Sequence, residues 1–234
     1  MKKLLLIAAT SATIVSSSAS FADIMDNSWY LRADAGATIF NKERDNATSI
    51  KLKSNTALAG DLGIGYNIGE NFRTDLTLGT ITGGKLKKSG TFNGGKFSGT
   101  TGSVNHKPTI TRLLLSGYID LSNFEMFDVF AGGGVGANLI KEKVGYTGTA
   151  VVNGVPRSLT ALSCTTSNRT NFAYKLTVGA AAQVADGVKA ELAYSWLDDG
   201  KAKSKDMDFY GTKIQTGGMR YQSHNITAGI RFDI

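Results

Sequence analysis

The feature that most constrains this chain is a set of eight segments, each about ten residues long or slightly more, in which apolar and polar side chains alternate with period two. Successive side chains of a β-strand point to opposite faces, so this pattern specifies strands with two unlike faces. The segments are Trp29–Phe40, Thr56–Tyr66, Phe72–Thr80, Thr109–Leu121, Phe127–Ile140, Phe172–Val184, Val188–Trp196 and Tyr221–Ile234. In the first, Trp29, Leu31, Ala33, Ala35, Ala37 and Ile39 share one parity, against Arg32, Asp34 and Thr38 on the other. In the seventh, Val188, Ala190, Leu192, Tyr194 and Trp196 oppose Lys189, Glu191 and Ser195.

The connections are sorted by length. Asn67–Asn71, Ser122–Met126 and Ala185–Gly187 are short and rich in turn residues, whereas 41–55, 81–108, 141–171 and 197–220 are long. A composition rich in Gly, Thr, Asn and Ser would also suit a soluble β-sandwich, but a sandwich has no reason to alternate short and long connections. A tilted strand of ~9–11 residues crosses a bilayer, and short turns on one side with long loops on the other is the layout of an outer-membrane barrel. Aromatic residues near the segment ends (Trp29, Tyr66, Phe72, Phe127, Phe172, Trp196, Phe232) fit interfacial girdles, and the small Ala33, Ala35 and Ala37 suit lipid better than a packed core. The expected fold is all-β: an eight-stranded antiparallel up-and-down transmembrane β-barrel in a bacterial outer membrane. Its long loops are expected to be extracellular and both mature termini periplasmic.

The N-terminus supports export. Lys2 and Lys3 precede a mostly apolar run, Leu4 to Val15, and Ser20-Phe21-Ala22 supplies small residues for cleavage after Ala22. The run is shorter than the ~20 residues of a spanning anchor, so 1–22 is read as a cleaved signal peptide and 23–234 as one barrel domain. Cys164 is the only cysteine in the 234 residues and is expected as an unpaired thiol in a loop, with an intermolecular bridge as the alternative.

If the apolar parity meets lipid, the charged parity fills the lumen. Arg32, Asp34, Asp61, Arg73, Asp75, Arg112, Lys175, Lys189, Glu191 and Arg231 are then expected inside, as a network of ion pairs, because lone buried charges are costly. Eight strands enclose a space that side chains just fill, so no open pore is expected. The long connections carry eighteen basic and seven acidic residues, and 81–108 holds five lysines without an acid. The candidate ligand-binding residues are Lys85, Lys87, Lys88, Lys96, Lys107, Lys141, Lys143, Arg157 and Arg169. A basic surface steers acidic partners over a Debye length of ~8 Å at physiological salt. Candidate partners are lipopolysaccharide and other outer-membrane lipid, sulfated glycans and host glycoproteins; no nucleic-acid partner is expected. The alternative is that these lysines only keep the loops soluble and pair with lipid phosphates.

Catalytic and cofactor readings are weak. Ser223 and His224 are adjacent on a strand and point to opposite faces. Asp198-Asp199 with His224 resembles groups of outer-membrane aspartyl-type proteases, but those barrels have more strands. Gly132-Gly133-Gly134-Val135-Gly136 lacks the Lys-Ser/Thr ending of a phosphate loop, and such glycines instead make room for bulky lumen side chains opposite them. Asp206-x-Asp208 is too small a ligand set for Ca²⁺, and two histidines with one cysteine make no zinc site. No metal, cofactor or catalytic residue is assigned.

Thr227-x-Gly229-x-x-Phe232-x-Ile234 resembles the terminal-strand signal read by the barrel assembly machinery, with Ile234 in place of the usual aromatic. The whole mature region resembles the OmpA/OmpX-like outer-membrane barrel superfamily. More narrowly, Met1 to Ala9, Trp29-Tyr30-Leu31-Arg32-Ala33-Asp34-Ala35-Gly36, Phe40-Asn41-Lys42-Glu43 and Lys51-Leu52-Lys53-Ser54-Asn55 resemble the rickettsial surface adhesin (Adr) family. That resemblance implies adhesion to host cells and capture of the serum protein vitronectin by exposed loops. The function expected is therefore an adhesin and not an enzyme. The alternatives are a structural barrel without a protein ligand and a lipid-modifying enzyme.

Overall fold

The computed structural model describes residues 28–41, 51–92, 100–123, 127–152, 155–158, 163–166, 168–203, 205–209, 212–216 and 219–234. The strands among them are β1 (Trp29–Phe40), β2 (Lys51–Ser54), β3 (Ala57–Ile68), β4 (Phe72–Thr82), β5 (Leu86–Phe92), β6 (Thr100–Asn123) and β7 (Asp128–Val152). They continue with β8 (Val155–Ser158), β9 (Ser163–Thr165), β10 (Arg169–Ala185), β11 (Val188–Lys201), β12 (Lys205–Phe209), β13 (Thr212–Thr216) and β14 (Arg220–Asp233). Eight of them close a barrel. Each pairs antiparallel with the next in the order β1, β3, β4, β6, β7, β10, β11, β14, and β14 returns to β1. Closure leaves none of the eight with an unpaired edge, which a lipid environment requires.

The alternation now has a physical meaning. Along β1, Tyr30, Arg32 and Thr38 are buried, while Trp29, Leu31 and Ile39 are exposed. The same holds around the barrel, where Leu62 is 66%, Leu192 60% and Leu176 59% exposed. So broad an apolar belt would aggregate in water and is stable only against lipid. From Trp29 to Ile39 the strand advances ~33 Å, or about 25 Å along the axis at a usual barrel tilt, which is the height of a membrane belt. Trp29 and Tyr66 pack edge to face with centroids 5.1 Å apart at the short-turn end. Two of the short turns depend on glycines with positive φ, Gly69 (64°) and Gly187 (67°).

At the other end the strands run well past the expected limits. The segments 81–108 and 141–171, read from sequence as loops, are in large part strand: β6 and β7 stay paired from Asn123↔Asp128 to Thr101↔Thr149, with one register shift between Asp120 and Ser122. β5 and β2 extend this hairpin on the β6 side. β8 and β9 pair with β7 on the other. β12 and β13 form a separate hairpin within 197–220. The signal-peptide segment lies outside the described residues. Cys164 sits on β9 opposite Val144 and is buried, rather than lying in a loop.

The lumen is filled in two layers. Nearer the short turns, Tyr118 and Phe130 pack edge to face at 5.9 Å among the charged side chains. Nearer the long connections, Phe40, Ile81, Leu86, Ile110, Ile140 and Tyr221 form an apolar plug, with Phe40 and Tyr221 5.6 Å apart. The interior is therefore closed and charge-filled as expected, with an apolar cap that sequence reading did not anticipate.

Candidate functional site

Two places concentrate polar chemistry. The first is the lumen. Arg32 donates from Nε and Nη2 to both oxygens of Asp34, each at 2.9 Å, and from Nη1 to Asp75 at 2.8 Å. Glu191 lies 3.2 Å from Arg73, 3.2 Å from Arg231 and 3.4 Å from Arg32. The Arg73 guanidinium also sits over Tyr118 and Phe130, 4.5 and 4.4 Å from the ring centroids. Further toward the plug, Arg112 faces Asp61 and Asp199 at 3.8 and 3.7 Å. Lys175 donates to the Tyr118 hydroxyl at 3.2 Å. At the short-turn end Lys189 pairs with Asp128 at 3.0 Å.

All ten lumen residues expected from parity take part in these contacts. Three carboxylates were missed: Asp120, which meets Arg73 at 3.5 Å, Asp128 and Asp199. The ten alone would set six cations against four anions; with the three added, the described lumen is close to neutral. Asp120 and Asp128 were visible on the inward parity. Asp199 was hidden because Asp198 beside it is charged on the outward parity, which made the pair look like loop.

A further buried carboxylate lies beyond the plug. Glu142 is fully buried, meets His106 Nδ1, accepts from the Tyr221 hydroxyl at 2.7 Å and accepts at its carbonyl from Thr166. These contacts tie the inner face of the β6–β7 extension to β14.

The second place is the basic outer surface of that extension. Lys85, just before β5, and Lys87 on β5 are exposed, and Lys88 is half-buried on the other parity. Lys107 on β6 and Lys141 and Lys143 on β7 are exposed on the face that continues the apolar belt. Arg157 is on β8 in register with Ala150, and Arg169 begins β10 opposite Ile140. Lys96 lies outside the described residues. Strand pairing thus brings Lys85, Lys87, Lys107, Lys141 and Lys143 onto one sheet face, while Lys88 points away from it.

The residues tested for catalysis are engaged elsewhere. Ser223 is buried in the lumen, whereas His224 faces outward and shares a 2.6 Å hydrogen bond with the Tyr194 hydroxyl. Asp199 accepts from Asn138 inside at 3.0 Å, and Asp198 is held outside by Arg220, Gln222 and the Gly200 amide. Gly132 is inward as expected: a Cβ there would enter the Tyr118 ring. The terminal motif lies on the closing strand and its end. Thr227 is buried, Gly229 opposes Asp34, Phe232 opposes Leu31, and exposed Ile234 donates its amide to the Trp29 carbonyl.

The family described as outer membrane protein beta-barrel domain matches residues 6–232. A Rickettsia felis protein named "Putative adhesin" is 67% identical over the whole of both chains. A Rickettsia prowazekii protein of the same description is 60% identical, again over both whole chains. Among solved structures, a major outer membrane protein from Thermus thermophilus has a TM-score of 0.52 at 14% identity, covering 90% of this chain and 100% of its own. Neisserial surface protein A has a TM-score of 0.50 at 13% identity, with the same coverage. At such identity these two structures speak to the fold alone.

Proposed function

The chain belongs to the outer-membrane β-barrel family, and from that premise we propose that it is an adhesin whose long-connection end faces out of the cell and binds acidic host ligands. The membrane location belongs to the fold; the orientation and the ligand are the proposal. The observation that carries it is the β2–β5–β6–β7–β8 extension. It carries exposed lysines beyond the belt on a sheet instead of on slack loops, so little side-chain and backbone order has to be imposed on binding. The relatives' adhesin names support the same reading. A cationic, pre-ordered surface favours sulfated glycans or acidic patches of host and serum glycoproteins such as vitronectin.

The test is adhesion of cells displaying the chain to host cells, and recovery of serum proteins on those cells, with Lys87, Lys88 and Lys96 changed to Glu. Binding should fall and lose most of its salt dependence, because each removed cation removes a screened attraction. Heat-modifiable gel mobility checks that the variant barrel is intact. Unchanged adhesion with an intact barrel rejects these three lysines as the contact surface and leaves a structural barrel as the better description.

A further inference from the structure

The cations of the extension are of two kinds, separated by height. On β7 the outward parity runs Val135, Ala137, Leu139, Lys141, Lys143; on β6 it runs Leu115, Leu113, Thr111, Thr109, Lys107. Leu139 is the last belt residue of β7. Two residues of strand advance ~7 Å, about 5 Å along the axis at barrel tilt, which places Lys141 about 5 Å and Lys143 about 10 Å beyond the hydrocarbon. The headgroup layer is ~5–8 Å deep on each side. Lysine stems reach several ångströms along a surface to place the ammonium in a polar layer, so Lys141, Lys143 and Lys107 all reach headgroup phosphates.

Their register favours a bound anion. Lys107 stands directly opposite Lys143, and Lys141 is opposite Thr109 one pair nearer the belt. Like charges in a directly opposed pair destabilise a sheet. Nothing among the described residues on that face neutralises them: the neighbours are Thr109, Thr165 and Asn105, together with the further cations Lys85, level with Lys107, and Lys87, opposite Asn105. Glu142, between the two β7 lysines, points inward to His106 and Tyr221. On the far side of the barrel the comparable outward cation, Arg220, has its own carboxylate in Asp198. The β6–β7 face, with Lys85 beside it, thus presents a cation cluster at headgroup height without a counter-charge among the described residues of that face.

We infer that Lys107, Lys141 and Lys143 form a binding site for the phosphate of a phosphorylated outer-leaflet lipid, separate from the ligand surface proposed above. The site rests on that proposal only for which leaflet it faces. The lipid phosphate supplies the missing charge, and the bound lipid fixes the extension at a set height above the bilayer.

The test uses the full mature barrel refolded in detergent, where leaflet and orientation play no part. Native mass spectrometry follows retention of diphosphoryl lipid A, with dephosphorylated lipid A as the second probe. The wild type should retain the diphosphoryl form and release the dephosphorylated one. The K107Q/K141Q/K143Q variant should lose affinity by about tenfold or more. K87Q/K88Q/K96Q should retain the lipid as wild type does, even if it loses adhesion. Equal retention by the triple variant and wild type, or equal retention of both lipids, overturns the site. So does a triple variant that keeps the lipid but loses host-cell adhesion. All three side chains are exposed and outside the lumen, so the variant should fold; if its heat-modifiable shift is lost, the single Lys143→Gln barrel takes its place, and wild-type affinity in that barrel overturns the site.

Discussion

Three guanidinium groups, those of Arg32, Arg73 and Arg231, converge on the Glu191 carboxylate inside the barrel. Asp34, Asp75 and Asp120 take part of their charge, but Glu191 alone touches all three. Removing one partner of a buried charge set costs far more than the set contributes intact, because the remaining charges stay desolvated. Glu191→Gln keeps the shape and deletes the charge; the expected loss is roughly 3–5 kcal/mol, read as a lower urea midpoint in detergent. Gly132 sets a steric counterpart. Its missing Cβ is the space occupied by the Tyr118 ring, whereas the position of a Cβ on outward-facing Gly117 is open. Gly132→Ala should cost about 1–3 kcal/mol by overpacking, and Gly117→Ala well under that. The temperature at which heat-modifiable mobility is lost should rank the two in that order. The residue identities of the lumen were mostly legible, since parity assigns them once the lipid face is known. Asp199 and Glu142 were not, because each stands beside charges on the opposite parity, and a segment charged on both faces carries no period-two signal.

At the level of the strand, legibility follows the solvent. Within the belt one face meets lipid and the other the lumen, so hydrophobicity must alternate, and β1 has the limits its sequence implied. Beyond the belt both faces of β6 and β7 meet polar surroundings, and Thr100 to Lys107 reads as Thr-Thr-Gly-Ser-Val-Asn-His-Lys. Nothing in that stretch distinguishes strand from loop, yet its backbone is paired throughout with β7 and β5. The apolar plug was hidden for a related reason: Ile81, Leu86 and Ala202 came from segments read as loops. The consequence is measurable. Amides of β6 between Val104 and Ile110, and of β7 between Ile140 and Tyr146, should exchange slowly with deuterium although they lie beyond the lipid, because ladder hydrogen bonds and not the bilayer protect them. Exchange as fast as in a free peptide would contradict the extended hairpin. Within the belt the expected sensitivity is to charge. Leu62 is exposed near mid-height on β3, and Leu62→Arg should cost about 2–4 kcal/mol in a bilayer, the penalty for a cation at the midplane.

For the molecule as a whole, the two filled layers act in series. An ion crossing from end to end would have to pass the apolar plug around Phe40, Ile110, Ile140 and Tyr221, then the ring of Arg73, Tyr118, Phe130 and Glu191. The plug's side chains are apolar apart from the Tyr221 hydroxyl, which is already engaged by Glu142, and the inner ring is occupied by ion pairs that would have to open. Resistances in series are set by the larger, so weakening one layer leaves the other in control. The intact protein should therefore show no steady porin-sized conductance in planar bilayers. Phe40→Ala with Tyr221→Ala should not open it, because the inner ring persists; Tyr118→Ala with Phe130→Ala should not either, because the plug persists. Only the four substitutions together should produce stable current steps. Conductance in either double variant would mean that a single layer seals the barrel. A lumen sealed in this way would leave no solute path from end to end, which directs the search for function to the surface beyond the belt. If both proposals hold, the lysines there divide by height, those at headgroup level toward lipid phosphate and those farther out toward a host ligand.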